Sequence, residues 1–348
     1  MNRVLALPAL FFCLLTYTPS YTTFNLIFFY MTWTTLILSH SPFKVELFGS
    51  IGVRLLFYVL PSALLFLFDA LVPSAAVLLK AHGEQGLPSG SKRRRVRVQE
   101  FKVAGWAFLN IFISIAVQAA IETLRIGYFK TRSALKVSFT IPLIPWNIAF
   151  HLACVLLLRE ILAYIIHRFV LHNEKYRITR YISSLHQTWY HSLHTPYPST
   201  AHYDHPIPYL LGNAVPTLLP AVFLRLHMIT YAMYLSIVSL EETLAYSGYS
   251  AMPMDFFLLG GIARRVEKHL MNRAAGNFSP WGIADWFCQT TITEEEGGAL
   301  ITETDEEEDE SSPVFRGREI FEAKVQEALD SHAKKTQRKH KKRSRHLL

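Results

Sequence analysis

The sequence predicts an all-α integral membrane protein, a helical bundle of four to six spans with a cytosolic, helical, histidine-rich cap. Three observations predict it. Of the 348 residues 51% are hydrophobic and the mean hydropathy is positive, more apolar surface than one soluble core would bury. Apolar runs recur at lengths near the roughly 20 residues that cross a bilayer. Seven of the fifteen histidines fall between His167 and His205, at the end of one such run.

The runs follow in order. Val4 to Leu38 is almost uncharged but is interrupted by Pro19, Ser20 and Asn25, so one span is expected from about Tyr21 to Leu38. The segment before it, VLALPALFFCLL after Asn2 and Arg3, also reads as a signal-peptide core, although no small-residue cleavage site follows. Further spans are expected over Ile51 to Val72, with Arg54 and Asp69 near its ends, over Trp106 to Ile121, and over Pro142 to Ile166, which contains Arg159 and Glu160. Tyr209 to Leu224 and His227 to Leu240 are short enough for a re-entrant or hairpin pair.

Charge sets the expected orientation. The loop KRRRVR (Lys92 to Arg97) and the C-terminal KKTQRKHKKRSRHLL belong in the cytosol by the positive-inside rule, which places His167 at a cytosolic span end. Residues 294–310 carry ten acidic side chains and residues 334–345 carry eight Lys or Arg, like-charge blocks that read as a solvated tail. The basic end would also be drawn to anionic lipid. Three regions result: a membrane hairpin region with its basic loop (1–100), a membrane domain bearing the histidines (101–291), and a charged tail (292–348). Cys13, Cys154 and Cys288 form no CxxC pair, which argues against thiolate metal binding and a disulfide framework. Nothing in the chain suggests nucleic-acid binding.

Neutral imidazole is the commonest protein ligand for mid-row transition metals, and seven histidines in 39 residues point to a metal site. His167 and His172 are five apart, so a regular α-helix would splay them by about 140°. They converge only if the helix unwinds near Leu171. His186, His191 and His194 follow on an aromatic-rich segment, and His202 and His205 flank Tyr203 and Asp204 before Pro206. Asp204 is placed either to orient the ring of His205 or to cap the next helix.

HRFVLH (167–172), the segment 186–194, AHYDHP (201–206), ETLAYSGY (242–249) and KHLMNRAAGNFSPWGIADW (268–286) resemble, in order and spacing, the histidine boxes of the fatty acid hydroxylase and sterol desaturase superfamily. The resemblance implies a pair of non-haem irons held by HxxxH or HxxxxH, HxxHH and a last HxxHH at the cytosolic face of the endoplasmic reticulum membrane. It further implies O2-dependent hydroxylation, oxidation or desaturation of a lipid, such as a sterol or fatty acyl chain, with electrons from cytochrome b5 and its NAD(P)H-dependent reductase. No GxGxxG after a strand and no CxxCH is present to supply electrons within the chain. Carried onto this sequence, the metal ligands are His167, His172, His186, His191, His194, His205 and His269, with His202, Asp204, Glu242 and Tyr246 as supporting or substitute groups.

The boxes are incomplete. Only His167 and His172 form a whole box. Counting from His186 puts Trp189 and Tyr190 where paired histidines belong, and counting from His191 puts Thr195 at the last position. Tyr246 replaces the histidine of HSGY, and VEKHL keeps only His269, with Val266 and Leu270 at the other two places. A remodelled site, a single-metal site and a lost site all stay open. The functional expectation is a membrane-bound iron oxidoreductase acting on a lipid. The alternative is a catalytically impaired relative serving as a lipid-binding or scaffold subunit. A channel would use Arg54, Asp69, Arg159 and Glu160 as pathway charges, but snorkelling ends and a pair satisfied by neighbours explain them more simply.

Overall fold

The computed structural model describes residues 21–292 apart from 82, 89–97, 142–144, 194, 198, 250–258 and 272–275. The signal-core segment, the Lys92 to Arg97 loop, His194 and the charged tail lie outside the described residues.

The described chain is helical, and its only β pairing is two isolated bridges, Lys80 with Tyr249 and Lys136 with His227. Helix α1 is Tyr21–Ser39, apolar over Ile27–Ser39. Helix α2, Pro42–Leu71, starts on a proline whose missing N–H costs nothing in the first turn. A short α3, Pro73–Leu79, follows, then α4, Val98–Tyr128, and α5, Trp146–Leu171. Helix α6 is Arg177–Trp189, α7 is Pro206–Phe223, α8 is Met228–Ala245, α9 is Leu259–Met271 and α10 is Ile283–Phe287. Helices α2, α4, α5 and α7 are long and apolar enough to cross a membrane. The expected hairpin is present: α7 and α8 are joined by a tight turn at Leu224–His227, with Arg225 at φ 46°.

Each of the four long helices contains one π turn, at Leu55–Val59, Leu124–Tyr128, His167–Leu171 and Leu210–Ala214. Such turns close i→i+5 and bring residues five apart onto one face. Large apolar side chains such as Phe48, Phe112, Trp146 and Phe150 point outward, as lipid-facing surfaces require. Helix α8 lies in the middle: Tyr231, Tyr234, Leu235 and Val238 pack against Val45 of α2, Val155 of α5 and Ala221 of α7. In lipid such a core is held by close packing and internal polar contacts more than by transfer from water.

Those polar contacts correct one expectation. Arg54 and Asp69 do not snorkel. Both are buried, Arg54 Nη1 2.5 Å from Glu242 Oε2 and Asp69 Oδ2 2.8 Å from Lys80 Nζ. Uncompensated charges among apolar helices are costly, and pairing of Arg54 with α8 and of Asp69 with Lys80, just after α3, removes that cost. The Arg159–Glu160 pair is satisfied by neighbours as expected. Arg159 Nη1 donates to Glu241 Oε1 at 3.0 Å, and Glu160 accepts the backbone N–H groups of Trp281 and Ile283, each at 2.9 Å.

Candidate metal centre

The last turn of α5 brings His167 and His172 together. The helix does not unwind at Leu171; it widens, and His172 N donates to His167 O at 3.1 Å. This i→i+5 closure puts the two rings in a near-parallel stack 5.0 Å apart. Helix α6, packed on that turn, adds His186, and α9 adds His269. One ligand nitrogen from each of His167, His172, His186 and His269 lies within 4.8 Å of the others. His191, in the 3-10 turn after α6, closes the group: its ring is 5.0 to 5.1 Å from those of His172, His186 and His269.

The outer nitrogens of three rings are fixed by oxygen acceptors. His167 Nδ1 donates to Phe278 O at 2.9 Å, His269 Nδ1 to Gly276 O at 2.7 Å, and His186 Nδ1 to Asp204 Oδ2 at 2.6 Å. A carbonyl oxygen only accepts, so the ring proton sits on Nδ1 and the Nε2 lone pair faces inward. All three inward Nε2 atoms are buried without a hydrogen-bond partner. Three orphaned lone pairs in one place are costly, and a cation that they share relieves the cost. These residues fit a metal ion.

His172 is held differently. Its Nδ1 lies 3.1 Å from Gln187 Nε2 and its Nε2 lies 3.4 Å from His191 Nε2. To present Nε2 as a lone pair, the ring needs its proton on Nδ1, and turning the Gln187 amide supplies the acceptor oxygen. Burial, and then the neighbouring histidines, push the His172 imidazole far below its ordinary value. Burial likewise lowers His269 to about 4, against the opposing pull of the Gly276 carbonyl. Both rings are therefore neutral at physiological pH, the form that binds metal.

The turn carrying Gly276 and Phe278 is knotted by Asp285, which is fully buried. Its carboxylate accepts from Phe278 N, Ser279 N, Ser279 Oγ, Thr290 Oγ1 and Arg265 Nη2 at 2.6 to 2.9 Å. Gly276 is required there, since a Cβ would stand 2.2 Å from Thr290 O. No side chain from Gly276 to Phe278 is an expected ligand. That turn in fact supplies two of the carbonyls that orient the histidines. Backbone acceptors leave no letter in a sequence, and the GNF spacing was the one available signal.

The remaining expected groups stand apart. His205 is the N-cap of α7, its Nδ1 accepting from Ile207 N at 3.3 Å, with its ring against Trp189. Asp204 orients His186 rather than the ring of His205, whose backbone N–H it accepts at 2.7 Å. Burial raises the Asp204 carboxyl, and His186 and the His205 N–H oppose that rise. His202 is fully buried between Glu242 (3.3 Å) and Tyr209 OH (3.0 Å), and Glu242 also meets Arg54 and Asn213. Tyr246 OH is 2.9 Å from Tyr190 OH.

A cavity of about 130 Å³ adjoins the cluster. His167, His186 and His269 line it together with Leu171, Ala163, Ile262 and Val266, while Tyr190, Tyr246, Glu241 and Arg159 form its more polar wall. No solved structure matches the chain. Residues 152–290 match the family model "Fatty acid hydroxylase", a segment that runs from within α5 past α10 and contains all four converging histidines. That family is one of iron-dependent, lipid-modifying membrane enzymes. Residues 152–290 thus match a family model that falls within the fatty acid hydroxylase and sterol desaturase superfamily.

Proposed function

We propose that the protein is a membrane-bound non-haem iron oxidoreductase that uses O2 to hydroxylate, oxidise or desaturate a lipid, with a sterol, a fatty acyl chain or another lipophilic molecule as substrate. The observation that carries this reading is the set of three buried imidazoles whose Nδ1 atoms are committed to protein acceptors while their Nε2 atoms converge unpartnered beside a cavity. His167, His172, His186 and His269 would hold the iron, with His191 next to them. When bound, the iron supplies the O2 chemistry for an unactivated C–H bond that side chains alone lack.

The chain's own residues do the rest. Phe278 O, Gly276 O and Asp204 hold the ring tautomers and orientations. Leu171, Ala163, Ile262 and Val266 give an apolar chain a wall to lie against and keep water from the cluster. Tyr190 and Tyr246 satisfy each other, so the opposite wall presents few free polar groups. The resemblance implies the endoplasmic reticulum membrane, and Lys92 to Arg97 with the basic C-terminal run favour placing the histidines and the C-terminus in the cytosol. Electrons would arrive there from cytochrome b5 and its NAD(P)H-dependent reductase.

The test compares lipid extracts of cells expressing the wild type and His186→Ala at equal protein level. The expected result is a lipid that has gained one oxygen or lost two hydrogens, present only with the wild type. Identical extracts would reject the reading. Tyr190, Tyr246, Val266 and Leu270, at positions where the resemblance implies histidine, favour a second reading as a lipid-binding or scaffold subunit. In that case the cellular phenotype survives His186→Ala but not removal of the spans.

A further inference from the structure

The imidazoles around the cavity and its phenols and carboxylates differ in what they have left to offer a metal. On one side stand the four histidines with ligand atoms inside 4.8 Å, three of them with buried Nε2 atoms that nothing else uses. On the other side the phenols and carboxylates are already engaged. The phenols of Tyr190 and Tyr246 are hydrogen-bonded to each other at 2.9 Å. Glu241 receives Arg159 at 3.0 Å and Trp281 Nε1 at 2.7 Å. Glu242 receives Arg54 at 2.5 Å on one oxygen and Asn213 at 3.0 Å on the other, and His202 stands 3.3 Å from it.

The residues at the positions of the missing box histidines explain how this arises. Trp189 is turned away from the cluster, its ring 4.8 Å from Trp106 and 5.3 Å from His205. Tyr190, one residue on, stacks on His186 at 4.9 Å with only 11° between the planes and reaches across to Tyr246. Val266 lines the cavity on the same face of α9 as His269, three residues away, and it and the buried Leu270 have no ligand atom. Among the described residues no second group of three His, Cys, Asp or Glu converges.

We infer that this domain holds one metal ion rather than two, on His167, His172, His186 and His269, and that the Tyr190–Tyr246 pair with Val266 fills the volume from which a second ion would be bound. The inference rests on the reading of the histidine cluster as a metal site, but not on the substrate or on turnover. The two arrangements of donors differ in what they leave unpaired. Removing a metal from the histidine set exposes lone pairs, whereas each phenol oxygen of the tyrosine pair already has a hydrogen-bond partner.

The test is metal stoichiometry of the full-length protein, taken from a monodisperse detergent-solubilised fraction, loaded anaerobically with Fe(II) and in parallel with Co(II), and freed of excess metal. Elemental analysis should give about one equivalent per chain, and the Co(II) visible absorption should stop rising at about one equivalent. Tyr190→Phe and Tyr246→Phe should each keep that value, and His186→Ala and His269→Ala should lose it while still eluting as monodisperse protein. About two equivalents in the wild type would overturn the inference, as would a drop in stoichiometry on either tyrosine substitution. Folded protein that retains almost no metal would overturn it too. A lipid product made by protein carrying two ions would leave the functional proposal standing and reject this one. One tightly held ion with no lipid product would do the reverse.

Discussion

The histidine wall and the tyrosine wall of the cavity follow opposite rules. In the histidine wall the polar groups are satisfied on their outer side only, by Phe278 O, Gly276 O and Asp204, and their inner nitrogens are left over. In the tyrosine wall Tyr190, Tyr246, Glu241 and Glu242 close on one another or on buried arginines. A surface built to bind something is incomplete by itself, and a surface built to hold helices together is not. The contrast lies in hydrogen-bond completeness more than in residue type.

The largest way to break the contrast is to free the carbonyls that back the histidine wall. Asp285→Ala strands Arg265 and the N–H groups of Phe278 and Ser279, and should cost about 3–5 kcal/mol, read as a fall in the thermal unfolding midpoint together with loss of bound metal. An unchanged midpoint would mean that the turn is not what holds His167 and His269.

Acid should act almost as strongly on metal-free protein. The folded-state value of His269 is lowered to about 4, so between the ordinary imidazole value of about 6.5 and about 4 the unfolded chain binds a proton that the folded chain refuses. Stability therefore falls as the pH drops through that window, by about 3 kcal/mol from this group, and levels off below it. His269→Gln should flatten the profile in a pH series of denaturant melts. The phenols of Tyr190 and Tyr246, both raised by burial, contribute no slope there.

Asp204→Ala should weaken metal retention about 10- to 100-fold, because His186 loses the acceptor that fixes its tautomer. A chelator competition measures it, and Asp204→Asn should recover part of the loss. The smallest effect is expected on the other wall: Tyr246→Phe removes one hydrogen bond, costs about 1 kcal/mol, and leaves metal affinity alone.

Much of this was legible in the sequence, for identifiable reasons. Hydropathy marked the spans because lipid-facing helices must be apolar all round: the expected span from Trp106 falls within α4, and those from Ile51 and Pro142 overlap most of α2 and α5. The order of the boxes marked His167, His172, His186 and His269. The counting marked Tyr190, Tyr246, Val266 and Leu270 as places where histidine is missing, but not that the two phenols bond each other. Three features were not legible. The partners of Arg54 and Asp69 are 188 and 11 residues away in the chain, and no local pattern joins them. His205, expected as a ligand, caps α7, and Asp204 orients His186 instead of His205, because capping depends on backbone direction, which adjacent letters do not encode. The carbonyls of Gly276 and Phe278 belong to the main chain and have no residue type at all.

The π turn at His167–Leu171 has a consequence for how such motifs are counted. A turn that closes i→i+5 stores one surplus residue relative to an ordinary helical turn. HxxxxH in the wide turn and HxxxH in a narrow one thus present the same pair of rings to the same point. A chain shortened by one residue between His167 and His172 could keep its cluster by tightening the coil there, with the helix above and the loop below undisturbed. Removing two residues would leave no spare length, and the second ring would swing to another face. The length of the box is therefore adjustable by one step, and the shape of the helix end sets that tolerance.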